Sequence, residues 1–175
     1  MIDANRGFSL LEAAEVARRV ESFDIAWFEE PVVGNDVALL ADLRKRTRIP
    51  IAAGQFEGHR FRLRDLVLGG AVDVVQTNVL YVGGYSEGLK VAHVADTLRL
   101  PVANGGGWPE HNALLMAAVA NNLGVEMHAW QWTLAETLYE APPRVDAGSM
   151  SLSDAPGVGL EPIEKVLRDT RLTRA

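Results

Sequence analysis

The sequence predicts an α/β fold, a partial (β/α) barrel ending in a hairpin and tail, and three observations predict it. Short apolar runs alternate with amphipathic segments from Ile25 to Trp130. Polar residues recur at the ends of the apolar runs at a nearly constant interval, and the alternation stops at Ala141-Pro142-Pro143. Strands and helices in strict alternation give a parallel sheet with right-handed crossovers.

The organising stretch is Ile25-Ala26-Trp27-Phe28-Glu29-Glu30-Pro31, an apolar run that ends in two carboxylates and a proline. Proline cannot extend a ladder and biases its predecessor toward extended geometry, so a buried strand from Ile25 stops at the glutamates. Side chains alternate faces, so one of Glu29 and Glu30 points into the site that Phe28 points away from, and Glu29 is taken as that one.

Before this strand, Ser9 to Phe23 has helical spacing, with Ser9 as cap and Glu12 three residues on. After it come a helix over Asp36 to Thr47, a strand over Ile49 to Gln55, a helix over Arg60 to Gly69 and a strand over Val72 to Asn78. Gly83-Gly84 introduces a helix over Ser86 to Arg99, with Ser86 read as its cap, followed by a strand over Leu100 to Asn104. The loop Gly105-Gly106-Gly107 precedes a helix from Pro109 to Asn121, and Val125 to Trp130 is the last strand. Arg144 to Leu152 reads as a hairpin turning at Asp146-Ala147-Gly148, and Pro162 to Leu172 as a short amphipathic helix or a frayed end. The chain divides at 140, with a partial-barrel catalytic domain over 1–140 and the hairpin and tail, packed on the barrel or on a cap, over 141–175.

Asp3, Glu29, Gln55, Asn78, Asn104 and Glu126 close successive strands at intervals of 26, 26, 23, 26 and 22 residues. One strand, one helix and two loops of a TIM-type barrel need roughly 25 residues, and strand C-termini in such barrels converge on one pocket. Three acids and three amides are therefore expected to meet there.

Composition bounds the rest. A chain of 175 residues, 48% hydrophobic with mean hydropathy +0.03, supports one core. It has no 18-residue apolar run, and its first residues lack a signal-peptide pattern. Zero cysteines exclude disulfides, zinc-thiolate sites and a thiol nucleophile, which fits a cytoplasmic chain. A formal charge of −6, with no basic run longer than Arg44-Lys45-Arg46, argues against nucleic acid and anionic membrane as partners.

Other groups read mainly as structure. His59 and His93 lie on helix-like segments, Arg60, Arg62 and Arg64 form a solvated helix face, and Trp27, Trp108, Trp130 and Trp132 pack near strand ends. His111 follows the glycine loop close to the pocket mouth, and His128 alternates with Glu126. The glycine loop is a candidate for holding an anion on backbone amides.

Asp3-Ala4-Asn5, Trp27-Phe28-Glu29-Glu30-Pro31, Ile51-Ala52-Ala53-Gly54, Gly83-Gly84, Gly105-Gly106-Gly107 and Pro156-Gly157-Val158-Gly159 carry a resemblance over nearly the whole chain. In order and spacing they resemble the enolase superfamily, and within it the mandelate racemase/muconate lactonizing enzyme group. The resemblance implies that the chain spans about barrel strands three to eight, with the N-terminal capping domain and the lysine motif of strand two absent. It implies magnesium held on three successive strand ends, here Asp3, Glu29 and Gln55. Gln55 stands where the group has a carboxylate, which lowers the site's charge by one, and Glu57 is a possible compensation.

The resemblance further implies catalytic positions at Asn78, Asn104 and Glu126. Asn78 and Asn104 occupy the places of the group's acid–base dyad, where an amide keeps hydrogen bonding and loses proton transfer. They are expected to contact substrate hydroxyls, with Glu126 on the substrate carboxylate and Asn5, His111 and His128 as further substrate contacts. The implied activity is that of a sugar-acid dehydratase or racemase/epimerase. It removes the proton α to a carboxylate through a magnesium-stabilised enediolate and is inactive in this chain alone; a small hydroxy-carboxylate is the ligand. The alternative is a non-catalytic remnant with at most a weak ligand site. An open partial barrel exposes two sheet edges, so a homo-oligomer or an N-terminal portion is expected to complete it.

Overall fold

The computed structural model, which describes residues 1–171, contains five parallel strands hydrogen-bonded in chain order. They are β1 (Ile2–Asp3), β2 (Phe28–Glu29), β3 (Ile51–Ala53), β4 (Val74–Thr77) and β5 (Val102–Asn104). The helices are α1 (Leu10–Val20), α2 (Val37–Arg44), α3 (Arg60–Leu68), α4 (Val79–Val82), α5 (Tyr85–Thr97), α6 (Pro109–Ala118), α7 (Ala129–Leu138) and α8 (Glu164–Asp169). The sheet is an open arc, not a closed barrel. None of these helices is long and apolar enough to cross a membrane.

The sheet is buried on both faces. Its outer face carries Phe28, Ile51, Ala53, Val75 and Val102, which share the main core with Leu40 and Leu43 of α2, Leu63 and Leu66 of α3, Val91, Ala92 and Ala95 of α5, and Leu115 of α6. Its inner face carries the smaller set Ala52, Val74 and Ala103, with Trp27 against them. Two packed faces are why these strands read as continuous apolar runs.

Local signals set the helix starts. Glu12 N–H donates to Ser9 Oγ at 3.4 Å while the Glu12 carboxylate accepts Ser9 N–H at 2.9 Å, a reciprocal cap for α1. Asp36 accepts Leu39 N–H at 2.9 Å and opens α2. Arg44 and Asp73 pair at the opposite end of the sheet from the glutamates, and Asp73 also accepts Ile51 N–H at 2.9 Å, fixing α2 against β3 and β4.

Four expectations are corrected. The strands are shorter than predicted: Pro50 and Pro101 have no N–H to donate and lie just before β3 and β5, and Glu30, at φ 38°, ends β2. Val125 to Trp130 is not a strand. Instead Val102 N–H donates to Asn121 O, Leu123 N–H to Val102 O and Asn104 N–H to Gly124 O, at 2.8, 2.8 and 3.0 Å. The sixth ladder therefore occupies 121–124, and beyond it β5 has turned into the glycine loop, so Trp130 lies in α7. Helix α4 was not anticipated; Asn78 caps it by accepting Leu80 N–H at 3.0 Å. Ser86 lies inside α5, whose cap position is Gly84.

The tail follows its expected course. β6 (Arg144–Asp146) and β7 (Ser149–Ser151) pair antiparallel through Ala147 and Gly148, both left-handed, as a two-residue hairpin turn requires. Tyr139 bridges Pro162, and Ile163 N–H donates to Leu138 O at 2.8 Å, so the chain folds back on α7 before α8. Leu172, at the end of the expected last helix, lies outside the described residues.

Candidate functional site

Asp3 and Glu29 are register partners on β1 and β2, at the C-terminal end of the sheet. Asp3 is exposed, and its Oδ1 accepts Asn5 N–H at 2.7 Å, so the carboxylate caps the turn that follows β1. Glu29 is 5% exposed on the inner face, where Trp27 Nε1 donates to its Oε2 at 3.2 Å. Burial pushes the Glu29 carboxyl up to about 7; the nearby Gln76 amide and the Trp27 hydrogen bond oppose the shift, and the charges of Asp3 and Glu126 add to it.

Glu30 follows a different route. Alternation alone would turn it from Glu29's surroundings, but its left-handed φ of 38° breaks the strand geometry. Its buried carboxylate accepts Asn35 Nδ2 at 2.7 Å and Gln55 Nε2 at 3.3 Å and lies 3.4 Å from Arg6 Nε. Burial raises its pKa, with Asn35 and Arg6 pulling it back.

Gln55 lies three residues beyond Ala52, the register partner of Glu29. Its Oε1 would be 2.5 Å from a Cβ placed on Gly105, and Gln76 Nε2 would be 2.9 Å from the same point. The rim thus runs from Asp3 through Glu29 and Gln76 to Gly105, Gln55 and Glu30. Gln76 was missed in the sequence. The signal was the period-two alternation that puts residues 74, 76 and 78 on one face of β4.

Glu29 Oε1, Gln55 Oε1 and Gln76 Oε1 are buried acceptors without a donor. An unsatisfied buried acceptor costs roughly 1–3 kcal/mol, and a hard cation with oxygen preference satisfies several at once. The donor set on the rim is therefore suited to such an ion. Among the described residues no three of His, Cys, Asp or Glu are grouped to hold a metal, so a site here depends on the amide oxygens. Glu57 adds nothing to it: Arg62 Nε at 3.1 Å and Asn35 Nδ2 at 3.4 Å hold its carboxylate.

Asn78 and Asn104, expected to contact substrate hydroxyls, are engaged with the protein's own backbone and side chains. Asn78 Nδ2 donates to Gly105 O and Gly107 O at 2.9 and 3.3 Å, and its Oδ1 accepts Leu80 N–H and Asn112 Nδ2. Asn104 Nδ2 donates to Gly105 O at 2.8 Å, and its Oδ1 accepts Glu126 N–H at 3.2 Å. Both side chains are buried and shape the glycine loop. Asn112, also fully buried, donates to Gly107 O and Trp108 O and accepts Val79 N–H. The expected anion cradle is in part filled, since Gly107 N–H donates to Glu126 Oε2 at 3.0 Å and Trp108 N–H to Gln131 Oε1 at 2.8 Å.

Glu126 also holds His128, with Oε1 3.1 Å from Nε2. His128 Nδ1 sits 3.0 Å from where a Gly107 Cβ would be, so the pair borders the loop. Asn5 is exposed in the turn after β1. His111 Nε2 lies 3.1 Å from Tyr139 Oη at the end of α7, and burial lowers its pKa.

The family described as enolase C-terminal domain-like matches residues 1–166. Arabinonate dehydratase of Saccharolobus solfataricus is 32% identical over 161 residues, covering 90% of this chain and 43% of that protein. D-xylonate dehydratase of Haloferax volcanii is 30% identical over 168 residues, covering 90% of this chain and 39% of that protein. A crystal structure of a mandelate racemase/muconate lactonizing enzyme from a marine actinobacterium, in complex with magnesium, superposes with a TM-score of 0.87 at 28% identity. That match covers 98% of this chain and 49% of the other. The chain thus spans less than half the length of these relatives, along their barrel portion. Matched over nearly all of its length by sequence and by shape, it belongs to the enolase C-terminal domain-like family, among proteins of the mandelate racemase type.

Proposed function

We propose that this chain is the metal-binding barrel portion of an enzyme that removes the proton α to the carboxylate of a sugar acid, as a dehydratase or a racemase/epimerase. Asp3, Glu29 and Gln55 hold a divalent cation, magnesium, in this reading. The observation that carries it is the set of buried acceptor oxygens on Glu29, Gln55 and Gln76 that have no donor. The magnesium named for the structural relative and the sugar acids named for the curated relatives agree with it.

When bound, a hard divalent cation neutralises charge developing on a substrate carboxylate as its α-proton leaves. The chain's own residues supply orientation. Asn78, Asn104 and Asn112 hold the carbonyls of the glycine loop, which fixes the loop's backbone. Glu126 keeps the His128 ring in place through Nε2, leaving Nδ1 as the ring atom for a substrate oxygen. Amides cannot take a proton near neutral pH, so neither asparagine is the base, and the chain by itself binds without turning over. The segment 141–175, whose Pro162 and Ile163 pair with the end of α7, is proposed as a hairpin-and-tail unit packing on the barrel portion.

A non-catalytic scaffold is the second reading, favoured by the commitment of both strand-end asparagines to the loop backbone. Proton NMR of the chain with arabinonate and D-xylonate in D2O separates the outcomes. Saturation transfer to the sugar acid only with magnesium present, without loss of the α-proton signal, is expected. Binding independent of metal, or no binding with it, contradicts the proposal, and α-proton exchange by the isolated chain contradicts the scaffold reading.

A further inference from the structure

Glu30 is held at every polar atom. Its N–H donates to Ala52 O at 2.8 Å and its carbonyl accepts Arg6 N–H at 2.6 Å. Oε1 accepts Asn35 Nδ2 at 2.7 Å, while Oε2 accepts Gln55 Nε2 at 3.3 Å and faces the Arg6 guanidinium, itself stacked 4.6 Å over the Phe56 ring. Two amide donors and a guanidinium aim at this one carboxylate and oppose the burial that raises its pKa, and once ionised it only accepts hydrogen bonds.

We infer that Glu30 is a positioning residue that decides which end of the Gln55 amide faces the rim. This inference rests on the proposed metal reading and deepens it. An amide has one donor end and one acceptor end, and an ionised carboxylate takes only the donor. Gln55 must therefore turn Oε1 away from Glu30, toward Gly105, where it lies buried without a donor. Glycine at 105 keeps that space open, since a Cβ there would stand 2.5 Å from the oxygen. A neutral glutamine at 30 would offer its own N–H2 to Gln55 Oε1, and the amide could then turn over. Glu30 thus governs a ligand oxygen without touching the cation, and the Glu30–Gln55 pair carries one negative charge where two adjacent acids would carry two.

The test uses the whole chain at pH 8. In the metal-free protein, the Gln55 side-chain N–H2 resonances are recorded by 15N–1H NMR for wild type and Glu30→Gln, with circular dichroism confirming that both are folded. Upfield movement of the Gln55 N–H2 protons in Glu30→Gln is expected, and unchanged resonances overturn the inference. Magnesium affinity is then measured for Glu30→Gln, Gln55→Ala, the combination of these two, and the swap Glu30→Gln/Gln55→Glu. Glu30→Gln should weaken binding roughly tenfold, as losses of outer ligand-orienting groups do. In the Gln55→Ala background the same change should have almost no effect, and the swap should restore binding. An equal loss in both backgrounds means that Glu30 acts by charge alone and overturns the inference. Should magnesium bind no variant while the Gln55 resonances move, the metal reading falls and the positioning role is upheld.

Discussion

Asp3 and Glu29 face each other as register partners across β1 and β2, one exposed to water and the other buried on the inner face of the sheet. Burial makes the inner one hold its proton, with the charges of Asp3 and Glu126 adding to it, and its pKa is pushed from 4.5 to about 7. Between those values the folded chain binds more protons than the unfolded chain, so this contribution to stability is full below 4.5 and is lost as pH rises through about 7. The metal-free chain should therefore melt at a higher temperature at pH 5.5 than at pH 8. Glu29→Gln should make that difference smaller, leaving the part due to Glu30 and Glu110, whose pKa values are also raised by burial. Calorimetry at the two pH values checks this.

Asn112 is the buried bond centre of the glycine loop. Asn112→Ala leaves Val79 N–H without its acceptor and removes one donor each from Gly107 O, Trp108 O and Asn78 Oδ1, and should destabilise the chain by about 3 kcal/mol in urea unfolding. Asn112→Asp keeps the shape but replaces the donor with an acceptor facing three acceptor oxygens, and should be at least as damaging.

Gly107 has φ 68°, and a Cβ there would lie 1.7 Å from Gln131 Oε1. Gly84 has φ 93° with nothing within 4 Å of such a Cβ. Gly84→Ala should therefore show backbone strain alone, of order 1 kcal/mol, whereas Gly107→Ala adds a collision and should lose more. Equal losses in urea unfolding would show that the crowding at Gly107 does not matter.

Much of the fold was legible because its signals are local. Ser9 with Glu12, the turn at Ala147-Gly148 and the helix–strand alternation each depend on neighbours in sequence. The last strand was misplaced because its position depends on where β5 ends, which Val125 to Trp130 do not encode. The positions of Glu29 at the end of β2 and of Gln55 just beyond β3 were readable from strand-end spacing. The loop-holding roles of Asn78 and Asn104, and the presence of Asn112 and Gln131 beside them, were not, because they arise between segments about 20 to 35 residues apart. Glu30 was read as turned away because period-two alternation assumes extended backbone, and its left-handed φ violates that assumption.

Oxygens at the ends of β1, β2 and the segment after β3 are proposed to hold a divalent cation. Isothermal titration of magnesium into the chain tests it most directly. The account predicts saturable one-site heat and a raised melting temperature for the wild type, with both lost in Glu29→Gln. Millimolar magnesium producing neither heat nor a change in melting temperature in the folded wild-type chain would contradict it.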